Sequence, residues 1–338
     1  MSQTIKWGFL GTSFISGVMA DAIHKEGNTR IHAVAGRSQS TLKQFALDHE
    51  VASTTTDFDA VINDNNVDIV YIALPNHLHH EYIIKAANAG KAILCEKSLS
   101  VDMGKTAEAL AAVGKHNVFF MEGLMYLHHP FTSKILNMLD SGIIGEVRSI
   151  QGHYCASIAQ FVNPESKGAL YNLGCYPASL LHLIMQHCFG EKSFDNYTIT
   201  ASGRRGADGN VCESAATLQF ENGVVCQLHT AEDYGLHSGF TILGTEGCIQ
   251  LTSNPWLPEA TGNQIIIQKY EQQVETVEVE ADGDAFLYQV RKTREYLEAG
   301  FKHAQRPAAQ PKDSYQVMEL LTRWEQAITL PEETGQKL

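Results

Sequence analysis

The sequence is short of positive charge. Its 25 lysines and arginines stand against 38 acidic residues, a formal net charge of −13. Nucleic acid or an anionic membrane as main partner would need a basic face, so neither is expected, although a local basic pocket for one small anion is still allowed. Long apolar runs are missing as well, and those present are far shorter than the roughly 20 residues a membrane helix needs. No charged-then-apolar export signal opens the chain. The polar Met-Ser-Gln-Thr leads straight into a strand-like run at Ile5–Leu10, which points to a cytoplasmic protein. The seven cysteines (95, 155, 175, 188, 212, 226 and 248) are odd in number, scattered and never spaced Cys-x-x-Cys. This argues against a disulfide framework or a structural zinc site and predicts buried, reduced thiols. Internal repeats and low-complexity segments are also absent. What remains is a chain of 338 residues, 44% hydrophobic and 19% charged, which fits a folded protein of two domains at roughly 100–200 residues each.

Two textures divide the chain. Up to about residue 120, short β-rich runs (Ile5–Leu10, Ile31–Ala35, Asp68–Leu74, Ala92–Cys95, Val118–Met121) alternate with helix-like stretches near Ile15–His24, Leu42–Asp48, His80–Ala89 and Val101–Lys115. This alternation predicts a parallel sheet covered by helices on both faces. Gly90 reads as a helix C-terminal cap and Ser100 as the N-cap of the next helix. From about Glu146, strand patterns follow one another, separated by turn signals such as Glu221-Asn222-Gly223, which predicts a mostly antiparallel sheet. Helical patterns interrupt it at Leu170–Cys188 and close the chain near Ala285–Ala299 and Ser314–Ile328. The expected fold is therefore an α/β dinucleotide-binding domain of the Rossmann type over 1–123. An α+β domain with a large, open, mostly antiparallel sheet follows over 124–338.

The first strand runs into Gly8-Phe-Leu-Gly11-Thr12-Ser13-Phe14-Ile15-Ser16. A dinucleotide loop needs a tight turn, close backbone approach and close helix–strand packing at its three small positions. Gly11, Ser13 and Ser16 occupy those positions, and small residues still admit a pyrophosphate to a helix N-terminus, where free N–H groups favour anions. Gly11, Thr12, Ser13, Phe14 and Ile15 are thus the expected phosphate loop, though an ordinary strand–turn–helix would read the same way. The end of the second strand is more informative. NAD sites place an acidic residue about 20 positions past the glycines for the ribose hydroxyls, yet none occurs between Glu26 and Asp48, and the strand ends Ala35-Gly36-Arg37-Ser38. A guanidinium and a hydroxyl there suit a 2′-phosphate, so Arg37 and Ser38 predict NADP in preference to NAD.

The next strand ends carry a resemblance. Asp68-Ile-Val-Tyr-Ile-Ala-Leu74-Pro75-Asn76-His77-Leu-His79 and Gly90-Lys-Ala-Ile-Leu-Cys-Glu96-Lys97 resemble the glucose–fructose oxidoreductase/inositol dehydrogenase (Gfo/Idh/MocA) family. Gly168-Ala-Leu-Tyr-Asn172-Leu-Gly174-Cys-Tyr176-Pro177 is similar to its dimeric dihydrodiol dehydrogenase branch. The resemblance implies that Leu74, Pro75, Asn76 and His79 line the cofactor, that Glu96 contacts its ribose, and that Lys97 is both catalytic and near the nicotinamide. It also implies that Tyr176 donates or accepts the proton and that Asn172 joins it. The chemistry is consistent: an ammonium stabilises a developing alkoxide, and a phenol exchanges its proton. Lys97, Asn172, Tyr176 and, on the first strand of the second domain, His153 are the expected substrate contacts.

Three residues depart from the family pattern. Ser98 stands where proline usually follows the lysine, and proline would restrict its predecessor to extended geometry. Asn172 stands where many members carry aspartate; an amide orients by hydrogen bonds but is no base. Leu127, in Tyr126-Leu127-His128-His129-Pro130, holds a place where related members carry arginine. Fifteen histidines form no zinc spacing, so no metal site is expected. His182 reads as a packed core residue, and Cys175 as small-residue packing rather than a nucleophile. The reading is an NADP(H)-dependent oxidoreductase acting between a secondary alcohol and a ketone of a sugar or cyclic polyol. Alternatives are a trans-dihydrodiol or anhydro-sugar oxidoreductase of the same fold, or a non-catalytic NADP-sensing regulator. The resemblance implies substrate binding and oligomerisation for the domain over 124–338, and a homodimer if its sheet's other face is apolar.

Overall fold

The computed structural model describes residues 4–330. Residues 1–3 of the polar N-terminal lead and 331–338 of the expected second domain lie outside the described residues. The chain divides into two compact units. One runs to His129 and includes Asp282–Tyr315; the other runs from Pro130 to Ala281 and continues from Gln316.

The first unit holds β1 (Ile5–Leu10), β2 (Thr29–Ala35), β3 (Ser53–Thr55), β4 (Ile69–Ile72), β5 (Ala92–Cys95) and β6 (Phe120–Glu122). These form a sheet of order β3-β2-β1-β4-β5-β6, with every pair parallel. β4 and β5 read Ile-Val-Tyr-Ile and Ala-Ile-Leu-Cys, near-continuous apolar runs as strands covered on both faces require. Helices α1 (Phe14–Glu26), α2 (Gln39–Asp48), α3 (Phe58–Ile62), α4 (His79–Asn88) and α5 (Met103–His116) alternate with the strands. Gly90, at φ +72°, follows α4 as expected. The N-cap of α5 is Asp102 and not Ser100: Asp102 Oδ1 accepts from Lys105 N at 2.9 Å, while Ser100 Oγ accepts from Asp102 N at 2.9 Å, an Asx/Ser relay the sequence pattern did not resolve.

Asp282–Tyr315 belongs with this first unit, whereas the sequence boundary placed all of 124–338 in the second domain. The reason is the amphipathic face of α8 (Ala285–Glu298), which buries Gln289, Val290 and Thr293. Gln289 Nε2 lies 3.4 Å from Met19 Sδ on α1, and Arg294 Nε is 2.7 Å from the nearly buried Glu26 carboxylate.

The second unit holds α6 (Pro130–Asp140), α7 (Cys175–Phe189) and nine strands: β7 (Val147–Ala156), β8 (Tyr197–Arg205), β9 (Val211–Phe220), β10 (Val225–Ala231), β11 (Leu236–Gly244), β12 (Gly247–Leu251), β13 (Asn263–Lys269), β14 (Glu275–Val279) and β15 (Ile328–Thr329). Their order is β14-β13-β12-β11-β7-β10-β9-β8-β15, with only β7/β10 and β8/β15 parallel. A final helix, α9 (Pro311–Ala327), precedes β15. One face of the sheet packs on α7. Gly152 on β7 leaves no room there, since a Cβ would lie 2.8 Å from the Phe240 ring and 3.0 Å from Pro177. The opposite face is a shallow groove of about 600 Å³ lined by Gln151, His153, Thr217, Gln227, His229 and His237. Ala201, Ala215, Ala216 and Leu228 also line it, so this face mixes polar and apolar side chains. Replacing the fully buried Val290 with aspartate is expected to cost on the order of 3 kcal/mol, because it strands a charge in the α8 packing. Urea denaturation measures this, and a loss below about 0.5 kcal/mol, the range of ordinary surface changes, would contradict the placement of α8.

Candidate active site

The expected cofactor residues lie in the loops and helix starts that follow the carboxyl ends of parallel strands of the first unit, the edge where ligands bind in open α/β sheets. After β1, Gly11 takes φ +111°, and its N–H donates to Ala35 O at 2.8 Å. A Cβ on Gly11 would sit 2.5 Å from Ala73 O, so only glycine allows the loops after β1 and β4 to approach this closely. Thr12 packs against Gly36, which brings the phosphate loop to the loop after β2. Ser13 is the N-cap of α1, with extended backbone and no side-chain cap bond, and the first turn contains no acidic residue. Its Oγ pairs instead with Ser16 Oγ at 3.2 Å. The first N–H groups of α1 are therefore left for an anion, and Phe14 beside them is 88% exposed. Arg37 and Ser38 are exposed at the end of β2, with Ser38 Oγ also capping α2 through Thr41 N. These residues fit a dinucleotide: a small-residue approach, a free helix start and a cation where an acidic residue would otherwise stand.

After β4, Leu74 and Pro75 are half-buried and Asn76 is buried. His79 departs from its expected role. Its ring is wholly buried between Ser98 O, 2.8 Å from Nδ1, and Leu74 O, 2.7 Å from Nε2, so it lies between the loops after β4 and β5 and presents no face to a ligand; the neutral ring has one N–H and donates to one of the two. Burial pushes its pKa down to about 4, with the Lys97 ammonium adding to that and the two carbonyls opposing.

After β5, Glu96 is buried and accepts from the Tyr71 hydroxyl at 2.7 Å. Burial raises its pKa, while the Tyr71 bond and the Lys97 charge pull the other way. Lys97 is half-buried, and the Lys97–Ser98 peptide is cis. After β6, Glu122 is 2% exposed and its Oε1 accepts from Leu99 N at 3.1 Å; burial pushes it up to about 7. Tyr71 and Glu122 escaped the sequence reading, although polar side chains within or ending apolar parallel strands were a usable signal. Leu127 is buried in a short turn, Met125–His128, and offers no cation.

In the second unit, Asn172 lies in a π-helical turn, Leu170–Gly174, that leads into α7, and Tyr176 is the second residue of that helix. Asn172 Nδ2 donates to Glu232 Oε2 at 2.7 Å. A buried carboxyl therefore stands behind the amide, raised in pKa by burial with the Asn172 bond opposing. The Tyr176 ring packs against Tyr154 at 5.3 Å and Trp256 at 6.1 Å. Sequence reading missed Glu232, Tyr154 and Trp256. His153 is a correction: side chains alternate along β7, so Tyr154 faces Tyr176 while His153 lies on the opposite face, stacked on His237 at 3.9 Å. A substrate touching Tyr176 on one side of the sheet cannot reach His153 on the other. His182 is buried with Nε2 2.9 Å from Gln316 Oε1, the packed role expected of it.

The fold and these strand-end loops define a nicotinamide-dinucleotide-dependent oxidoreductase. The chain belongs to the Gfo/Idh/MocA family: residues 5–124 match "Oxidoreductase family, NAD-binding Rossmann fold" and residues 132–250 match "GFO/IDH/MocA C-terminal domain". Among its relatives is trans-1,2-dihydrobenzene-1,2-diol dehydrogenase of Xenopus tropicalis, 25% identical over 310 residues, covering 88% of this chain and 91% of that one. Another is dTDP-3,4-didehydro-2,6-dideoxy-alpha-D-glucose 3-reductase of Actinomadura kijaniata, 28% identical over 276 residues, covering 78% and 79%. A solved 3-ketoreductase from Actinomadura kijaniata, in complex with NADP and TDP-benzene, superposes with a TM-score of 0.86 at 25% identity, covering 96% of this chain and 98% of that one.

Because Glu122 titrates near 7 when folded and near its ordinary 4.5 when unfolded, its stabilising contribution is complete below about 4.5 and is lost as pH rises through 7. Glu122→Gln, which cannot ionise, should therefore gain thermal stability relative to the parent between pH 5 and pH 8. Parallel melting curves at the two pH values, with an unchanged difference, would contradict the buried carboxyl.

Proposed function

We propose that the protein is an NADP(H)-dependent oxidoreductase that moves hydride between the nicotinamide and a secondary alcohol or ketone of a sugar or cyclic polyol. The observation that carries the NADP reading is the exposed Arg37–Ser38 pair at the end of β2, next to the free start of α1 and within a stretch, 27–47, that contains no acidic residue. A guanidinium pairs with a phosphate through charge-assisted, fork-shaped hydrogen bonds. The relative solved with NADP supports the same choice.

When bound, the nicotinamide accepts or gives the hydride. The chain's own contribution is electrostatic and acid–base. Lys97, at the end of β5, is the group proposed to stabilise the substrate oxygen as it takes on alkoxide character. Tyr176 is assigned the proton transfer, and Asn172, backed by Glu232, orients polar groups near it. The aromatic group of Tyr154, Tyr176 and Trp256 suits the apolar face of a sugar ring, and it also supports a second reading, a cyclic trans-dihydrodiol. A sensor that binds NADP without turnover is the remaining alternative.

A ligand that binds only the native state raises its melting temperature by mass action, so NADP+ is expected to give a larger thermal shift than NAD+. The Arg37→Ala variant should lose that advantage. Equal shifts, or a larger one with NAD+, would overturn the NADP reading. In a nicotinamide-absorbance screen of sugars, cyclic polyols and diols, Lys97→Met should keep the NADP+ shift and lose essentially all turnover. Retained turnover would remove Lys97 from catalysis, and no turnover by the parent with any compound would favour the sensor.

A further inference from the structure

The loop that carries Lys97 is anchored in an unusual way. Ser98 C=O and Leu99 N–H are the two poles of one peptide group, and each meets a buried titratable side chain from a different strand end. His79, opening α4, approaches Ser98 O through Nδ1 at 2.8 Å. Glu122, closing β6, accepts from Leu99 N through Oε1 at 3.1 Å. His79, Ser98 and Leu99 are wholly buried and Glu122 is 2% exposed, so none of these bonds exchanges freely with water. The neutral His79 ring carries one N–H, which on Nδ1 donates to Ser98 O. Glu122 is held in turn, for Gly123 N donates to Cys95 O at 2.7 Å, closing β6 onto β5. A side chain at Gly123 would press within 3.2 Å of Cys95 O and Glu96 Cα, so the backbone beside Glu122 has no slack.

We propose that His79 and Glu122 are positioning residues for Lys97, gripping the Ser98–Leu99 peptide at both poles and so doing the work that a proline after the lysine does elsewhere in the family. Neither touches substrate under this reading. They act by fixing the chain from which the ammonium projects. The inference rests on Lys97 as the catalytic group for its importance, but not for its test. A preorganised cation needs no reorganisation as the substrate oxygen gains charge, and a loop released by the loss of one hydrogen bond would forfeit that.

The test reads Lys97 directly. The full-length protein is acylated with limiting acetic anhydride at pH 8, and peptide mass spectrometry reports the modification of Lys97 relative to the exposed Lys43 and Lys115. Glu122→Gln keeps an oxygen acceptor for Leu99 N, and Glu122→Met does not; both remove the charge, so their difference isolates the hydrogen bond. Glu122→Met is expected to raise the Lys97 ratio about fivefold over Glu122→Gln, the factor one net hydrogen bond carries. His79→Leu, which removes the other anchor, is expected to raise it over the parent by a similar factor, and it carries the test should Glu122→Met fail to fold. Equal ratios in Glu122→Met and Glu122→Gln, or a His79→Leu ratio no higher than the parent's, overturn the proposal. The readout needs no substrate, so retained turnover in Lys97→Met would defeat the catalytic reading and leave this one standing.

Discussion

Two carboxyl groups, those of Glu96 and Glu122, are buried at neighbouring strand ends, and the charge of Lys97 favours the ionised form of both. Charged groups this far from water persist only with compensation, and here it comes from a small number of fixed partners: Tyr71 for Glu96, the Leu99 amide for Glu122, and the lysine between them in sequence. The loop after β5 is therefore not free to drift. The cost of burying two acids is offset by these partners, and the proposed chemistry depends on the loop they hold.

The remainder of the first unit assembles the other half of a dinucleotide site with equally little latitude. Gly11 admits the backbone of Ala73, Thr12 packs on Gly36, and α1 begins without a side-chain cap. Each is a local choice of small or glycine residue at a strand end, and together they leave a row of unspent N–H groups beside an exposed arginine. The second unit contributes a different material: an aromatic group on the helix-packed face of its sheet, with an amide held by a buried carboxyl. Ser98 and Asn172 both depart from the family pattern, and beside each the structure places a buried carboxyl: Glu122 accepts from Leu99 N, and Glu232 accepts from Asn172 Nδ2.

Much of this was legible in the sequence because the signals are local. Strand–helix alternation, the Gly11 turn and the Glu96–Lys97 strand end depend on a few adjacent residues, and β1 and β5 fell where their apolar runs placed them. What escaped depends on long-range packing or on register. The three-residue β3 and five-residue α3 are too short for a periodic pattern. The α8 pattern reveals an apolar face but not which unit covers it. A period-two strand shows that His153 and Tyr154 point to opposite faces, yet nothing local says which face the helix covers. His79 was recognised by its motif and assigned to the cofactor, because the sequence could not show two carbonyls closing on its ring.

The most direct measurement of the central claim is a crystal structure of the protein with NADP+ and a bound alcohol substrate. The account predicts the Lys97 amine within about 3 Å of the oxygen on the carbon that gives up hydride, the ordinary length of an N–H···O bond. An amine turned into solvent, with that oxygen held by other groups, would contradict it.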